Sequence, residues 1–382
     1  MSAATRARVQ RRPVHGVLLL DKPLGLSSNQ ALQKAKWLLR AEKAGHTGTL
    51  DPLASGVLPL CFGAAAKFSQ TQLEADKTYE ATIALGVTTT TGDAEGEVVE
   101  QRPVPPITAV QLQAVRQRFT GRITQLPPMY SALKKDGKAL YEYARDGVKV
   151  ERAPREVMVF RLDVFSPRPL GGGAEGVRHA SDVCGINAAG PHPNLPPEGE
   201  GTIFPPSFGE REQSRFTATA QGENKPSLHI TATVSKGTYI RTLGEDISAA
   251  LGCGGHLSRL RRIATGPFGI GQCVTLDALE AMTENQRLAC LLPVESLAAG
   301  HVRVVLDEQD AGRFLSGLRR RGAWPDAPAV AVFGPPLSGA GQGGAVFLGT
   351  AHIQAGELIP ARLLNPLEIQ QILQQHFSLS TP

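Results

Sequence analysis

The sequence predicts an α+β fold, and three observations carry that prediction. Thr78–Leu85 alternates, with Tyr79, Ala81, Ile83 and Leu85 on one face and Thr78, Glu80 and Thr82 on the other, the period of a half-buried strand. Between such runs lie helices with marked starts. Ser27-x-x-Gln30 stands at the head of Ser28–Leu39, and Thr108-x-x-Gln111 at the head of Thr108–Phe119; both have capping-box spacing. After Leu297, Val302–Leu306, Ala329–Phe333 and Ala345–His352 read as short strands around a Gly-rich stretch, a separate small β-rich unit.

Taken in order, residues 1–12 carry Arg6, Arg8, Arg11 and Arg12 and no acid, which predicts a basic disordered arm. His15–Leu20 is a buried strand, and Val57–Leu60 another. Leu32, Ala35 and Leu39 share one face of the first helix; Leu112, Val115 and Phe119 are the buried face of the second. Strands Val157–Phe165 and Leu228–Val234 should pair across residues 167–225. That stretch is rich in Gly and Pro and too poor in apolar runs to fold alone, so it reads as a low-complexity insertion. Loop closure costs little more as a loop lengthens, so the pair can survive it. Thr242-x-x-Glu245 predicts a helix from Thr242, with Leu243, Ile247 and Leu251 inward. Asp307–Leu315 reads as a short helix and Arg319–Arg321 as a basic cluster. Asn365-Pro366 opens a terminal helix with Leu367, Ile369, Ile372, Leu373 and Phe377 as packing residues. The domains are therefore an arm (1–12), a body (13–298, with the insertion 167–225) and a small unit (299–382).

Composition narrows the function. The chain has 382 residues, 41% hydrophobic but only 5% aromatic, with a net charge of +5 and a pI near 9.0. That balance suits an anionic partner such as RNA. The five cysteines, at 61, 184, 253, 273 and 290, form no C-x-x-C pair, so neither a zinc site nor a disulfide framework is indicated. The longest apolar-leaning run, Gly56–Ala66, is too short to span a membrane and contains a Pro. No apolar core follows the N-terminal arginines, so no signal peptide is expected. The expected compartment is the cytoplasm.

Two stretches carry the chemistry. Gly45-His46-Thr47-Gly48-Thr49-Leu50-Asp51-Pro52-Leu53-Ala54-Ser55-Gly56 sets one acid in a stiff, non-helical loop that enters a strand. Loops held by a rigid scaffold are where catalytic groups tend to lie, although an isolated Asp-Pro more often only caps its own turn. Gln125–Arg155 interleaves Lys134, Lys135, Lys138, Arg145, Lys149 and Arg152 with Tyr130, Tyr141 and Tyr143. Cations for phosphates and rings for bases are what a single RNA strand or loop needs.

The Asp51 loop resembles the GHTGxLDPxAxG signature of the TruB family of tRNA pseudouridine-55 synthases, with Thr49 where Ala is more usual. Gly16–Ser28 is similar to the family's GxLxLDKPxGxSS opening, and Asp76-Lys77-x-Tyr79 to its D-K-x-Y strand. Pro128-Met129-Tyr130-Ser131-Ala132-Leu133-Lys134 and Ser235-Lys236-Gly237-Thr238-Tyr239-Ile240-Arg241-Thr242 resemble two further family strings. The likeness spans Gly16–Leu279, interrupted by the insertion. It implies a mixed, mainly antiparallel sheet with flanking helices, and a PUA-like, RNA-binding identity for the C-terminal unit.

The same resemblance implies the activity: isomerisation of uridine to pseudouridine at position 55 of the tRNA T-loop, on a flipped-out base. Asp51 is then the catalytic residue, and Arg241 the cation that keeps it ionised. Tyr79 and Tyr239 line the base, Leu260 closes the apolar side, and His46 enters the RNA loop. The isomerisation needs no redox step, so no cofactor and no metal are expected. The expected partner is the T-arm of tRNA, bound by a monomer with no obligatory protein partner. Competing readings are a guide-RNA-dependent pseudouridine synthase, a non-catalytic RNA-binding or chaperone protein, and a metal-free Asp hydrolase. A pure binder has no use for an acid aimed at an RNA pocket. The Tyr/Lys segment favours standalone action, and a hydrolase would want a second acid in the loop.

Overall fold

The computed structural model describes residues 10–166, 226–335 and 344–380. The insertion 167–225 and residues 1–9 of the arm lie outside them. Two sheets organise the described residues. In the first run β1 (Gly16–Lys22), β2 (Ala44–His46), β3 (Ala54–Phe62), β4 (Lys77–Leu85), β5 (Gly121–Gln125), β6 (Arg155–Phe165), β7 (Ser227–Val234) and β8 (Gly255–Thr265). The order across it is Val274–Thr275, β1, β3, β8, β4, β7, β6, β5. Most neighbours are antiparallel; β3 and β8 run parallel, as do β1 and Val274–Thr275. The expected pairing across the insertion is present, with Phe165 opposite His229 and Val159 opposite Val234.

β1 is apolar on both faces because both are covered. Leu18 and Leu20 pack with Leu58, Leu60 and Phe62 in one cluster. Val17 and Leu19, one residue out of phase, pack with Val57, Cys61 and residues of the C-terminal unit such as Phe314 and Ile369 in another. The helix cover includes α1 (Ser28–Leu38) and α2 (Ala109–Arg118), and both expected capping boxes form.

The next helices depart from the sequence reading in one place. α3 (Leu140–Arg145) sits in the Tyr/Lys segment. α4 (Ile240–Ala250) starts two residues earlier than Thr242 predicts, with Tyr239 at the N-cap and no side-chain cap. Gln125 from β5 does the capping work instead. Its amide accepts from Tyr239 N–H at 3.0 Å and donates to Tyr239 O at 3.2 Å. Thr242 is consequently buried within the first turn.

The second sheet holds β9 (Val302–Val305), β10 (Ala327–Gly334), β11 (Val346–Gln354) and β12 (Glu357–Leu363), in that order, with Arg320–Arg321 at its far edge. α5 (Glu308–Leu315), capped by Asp307, and α6 (Pro366–Ser380) complete the unit. On α6, Ile369 is buried and Ile372 and Leu373 pack beside it. Leu367 and Phe377 are exposed, against expectation: Leu367 falls off the inward face that these three residues set, whereas Phe377 is in phase with that face but stands in the helix's last turn. α6 returns to β1. Gln375 grips the His15 backbone with two hydrogen bonds of 3.0 and 2.8 Å, and Gln371 bonds the His15 ring at 3.0 Å. The predicted arm is ordered at its end: Arg12 bridges Ala41 and pairs with Glu284 at 2.6 Å.

Candidate active site

Asp51 lies on the turn that enters β3, and the residues around it are tied down. Leu50 N–H donates to the buried Ser28 hydroxyl at 2.7 Å, and that hydroxyl donates back to Leu50 O at 3.0 Å. Pro52 O accepts from Gly25 N–H at 2.9 Å, and Asp51 O from Ala54 N–H at 3.0 Å. Deeper in, Lys22 is fully buried and donates to Pro23 O and Leu26 O. Burial pushes its pKa down to about 8, against the pull of Asp51 nearby. Arg262, also fully buried, donates to Val57 O at 2.7 Å and Gly48 O at 3.2 Å, fastening β8 to both ends of the loop. The loop is thus held in shape before anything binds.

Arg241, on the first turn of α4, is the hub of the site. Its Nη2 lies 3.1 Å from Asp51 Oδ2 and its Nη1 3.4 Å from Asp93 Oδ2. The same guanidinium donates to Thr91 O at 3.0 Å and Tyr130 O at 2.6 Å. The Arg241 side chain is only 8% exposed, so these acceptors matter: an unsatisfied buried guanidinium is costly. Although 42% of the Asp51 side chain is reachable by solvent, it sits in a concave wall that strips much of its hydration. Burial therefore raises its pKa above the ordinary carboxylate value. Arg241 opposes that rise, Asp93 adds to it, and Lys22 opposes it.

A cavity of about 280 Å3 opens over this pair. Five of the six residues singled out by the sequence line it: Asp51, Tyr79, Tyr239, Arg241 and Leu260. The two tyrosines come from different elements, β4 and the N-cap of α4. Leu260, opposite Ala54 in the β8–β3 pair, supplies an apolar wall. Lys77 lines the cavity too, but its ammonium is turned onto Leu73 O and Ala75 O, and burial lowers its pKa to about 8. Such a site offers one carboxylate, one cation and flat apolar walls. That suits a planar ring held against a nucleophile or base.

His46 does not join the five. It stands on β2, opposite Leu60, and lines no cavity described here. Burial, with Arg262 nearby, lowers its pKa and so favours the uncharged ring. Three other residues escaped the sequence reading. Asp93, 2% exposed, has a signal only in hindsight: it is the first of three closely spaced acids after the Thr89–Gly92 turn, which its carboxylate fastens by accepting from Thr91 Oγ1. Ser28 read only as a helix start, and no role was expected of Arg262.

Residues 36–169 match the family described as TruB family pseudouridylate synthase (N terminal domain), and residues 241–299 match the tRNA pseudouridylate synthase B C-terminal domain. The second match covers α4 and β8 and stops where the second sheet begins. The tRNA pseudouridine synthase B of Verminephrobacter eiseniae (strain EF01-2) is 55% identical over 98% of this chain and 96% of its own length. That of Ralstonia pickettii (strain 12J) is 48% identical over 93% and 96%. Among solved structures, a Cbf5-Nop10-Gar1 complex aligns with a TM-score of 0.56 at 21% identity, covering 93% of this chain and 87% of that one. At that identity the likeness speaks for the fold alone.

Proposed function

The chain belongs to the TruB family of pseudouridylate synthases, and from that premise we propose that it isomerises uridine to pseudouridine in tRNA, at position 55 of the T-loop. The observation that carries the reading is the Asp51–Arg241 pair, 3.1 Å apart, in the wall of a cavity lined by Tyr79, Tyr239 and Leu260. The reaction breaks the C1′–N1 bond, turns the uracil, and joins C5 to C1′. C5 gives up a proton and N1 gains one, so the composition is unchanged. What the protein must supply is an ionised carboxylate beside the sugar and base, and surfaces that hold the ring while it turns.

Asp51 is that carboxylate. Arg241 holds it charged against the burial that favours its neutral form. Tyr79 and Tyr239 take the ring of the flipped uridine, and Leu260 closes the apolar side. Stacking returns about 1–3 kcal/mol per base, which offsets much of the few kcal/mol that flipping costs. His46, a neutral ring outside the cavity, fills the gap the uridine leaves in the RNA loop. The segment 125–155 grips the T-arm, so the enzyme acts as a monomer in the cytoplasm without a guide RNA, a partner protein or a cofactor. The C-terminal unit adds a second RNA-binding surface. Incubation with unmodified tRNA, followed by pseudouridine mapping, tests the reading: a single modified site in the T-loop is expected from the wild type and none from Asp51→Asn. Modification only when a guide RNA is added would favour the other branch of this fold.

A further inference from the structure

Asp51 and Arg241 stand in a wall with space on both sides. Behind the cavity described above, across residues 49–51, lies a second one of about 320 Å3. Tyr141, Arg145 and Glu95 bound it on the outside. The exposed Tyr141 ring carries the Arg145 guanidinium 5.3 Å from its centroid. Together they make a flat platform beside the channel to Asp51.

The charge pattern of this cavity differs from that of an RNA-backbone site. Three carboxylates, Asp51, Asp93 and Glu95, face two guanidiniums, Arg145 and Arg241. Arg241 is already engaged by Asp51 and Asp93. Glu95 is the carboxylate left over. Its backbone N–H donates to Asp93 Oδ1 at 3.1 Å, which fixes where the side chain starts. Among the described residues its carboxylate makes no hydrogen bond or ion pair. A phosphate seated here would meet that acid, and the one guanidinium here with no carboxylate partner among the described residues, Arg145, lies against the Tyr141 ring. A nucleobase meets no such repulsion: it can stack on Tyr141 and offer an amine to the carboxylate.

We propose that this second cavity receives the nucleotide adjacent to the target uridine, and that Glu95 selects a base bearing an exocyclic amine over uracil. The shared wall favours adjacency: a strand that delivers a uridine to one side of Asp51, as read above, places its neighbour on the other. Cytosine, adenine and guanine each present an amine. Uracil presents N3–H only between two carbonyl oxygens, which face the carboxylate unfavourably.

The test is single-turnover pseudouridine formation on unmodified T-arm RNAs. The target uridine stays fixed while the base on each side is varied through all four. The wild type should reach half-maximal rate at an RNA concentration on the order of tenfold higher with uracil at one flank, the discrimination of a single good base contact. Glu95→Ala should level the four bases at that flank and leave the maximal rate intact. Glu95→Gln, whose amide both donates and accepts, should bring uracil up towards the others. Tyr141→Ala should weaken all four alike. Turnover with no preference at either flank, or a preference that survives Glu95→Ala, overturns the assignment. Absence of pseudouridine from every RNA overturns the uridine-isomerising reading along with it.

Discussion

Asp93 and Asp51 take different nitrogens of one guanidinium: Arg241 Nη1 lies 3.4 Å from Asp93, Nη2 3.1 Å from Asp51. The Asp93 side chain is 4% exposed and that of Asp51 42%. The inner carboxylate is therefore the fixed counterion and the outer one faces the cavity. Asp93→Asn should leave Arg241 less firmly aimed and slow the chemical step by about ten- to a hundredfold, the scale of losing one aligned charged contact of 1.5–3 kcal/mol. RNA affinity should change little. Single-turnover rate against RNA concentration checks both; a large loss of affinity at an unchanged maximal rate would contradict this role.

Asp51→Asn should abolish turnover while RNA binding persists. It should also leave the fold no less stable. The Asp51 pKa is raised in the folded protein, so ionising it works against folding as pH climbs from the unfolded value through the folded one. An amide carries no such penalty. A melting temperature at pH 7 clearly below wild type would show that the Arg241 contact outweighs the burial.

The same shift sets the pH profile. On the proposed mechanism the reaction requires Asp51 ionised, and its pKa lies above the ordinary value of 3.8. The acid limb of the maximal rate should therefore fall at a higher pH than an ordinary aspartate gives. A rate that stays flat down to pH 4 would show that the bound RNA restores a normal carboxylate.

Gly56→Ala should unfold the loop's exit. Gly56 has φ +104°, and an added Cβ would sit 2.1 Å from Arg262 O in the neighbouring strand. Backbone strain and the clash together should cost about 2–5 kcal/mol. Denaturant unfolding measures it; a midpoint close to wild type would mean that β3 and β8 can part locally.

Basic residues should divide by whether they are already engaged. Arg320 lies 2.5 Å from Asp310 and is 19% exposed; Arg319 and Arg321 share Glu357. The basic cluster Arg319–Arg321 is thus largely occupied from within. Lys134 is exposed in the Tyr/Lys segment. Lys134→Ala should flatten the salt dependence of RNA affinity by about 0.7–0.9 in log–log slope, and Arg320→Ala by nearly nothing. Equal slopes for the two variants would remove Lys134 from the phosphate contacts. Removing 299–382 is a poor test of RNA holding, because it would strip the cover from Val17, Leu19, Val57 and Cys61.

The strands and helices were legible because their signals are local. Alternation marks β4, and Ser27/Gln30 marks α1 within four residues. The α4 start was misread because its cap comes from Gln125, 114 residues away. Asp93 was invisible for the same reason: nothing near it in sequence reveals that Arg241 lies beside it. The Asp51 loop could be read because its glycines and proline leave the backbone few choices. The ties that hold it, Ser28 and Arg262, come from elsewhere in the chain.

The grip of Gln375 on His15 spans 360 residues, and it bears on how the protein is made. A ribosome translates β1 long before α6. Until the second sheet and α6 emerge, one apolar face of the central strands, Val17, Leu19, Val57 and Cys61, has no lasting cover. The body can therefore close its core only after nearly the whole chain has been made, and the Gln375–His15 contact is among the last to form.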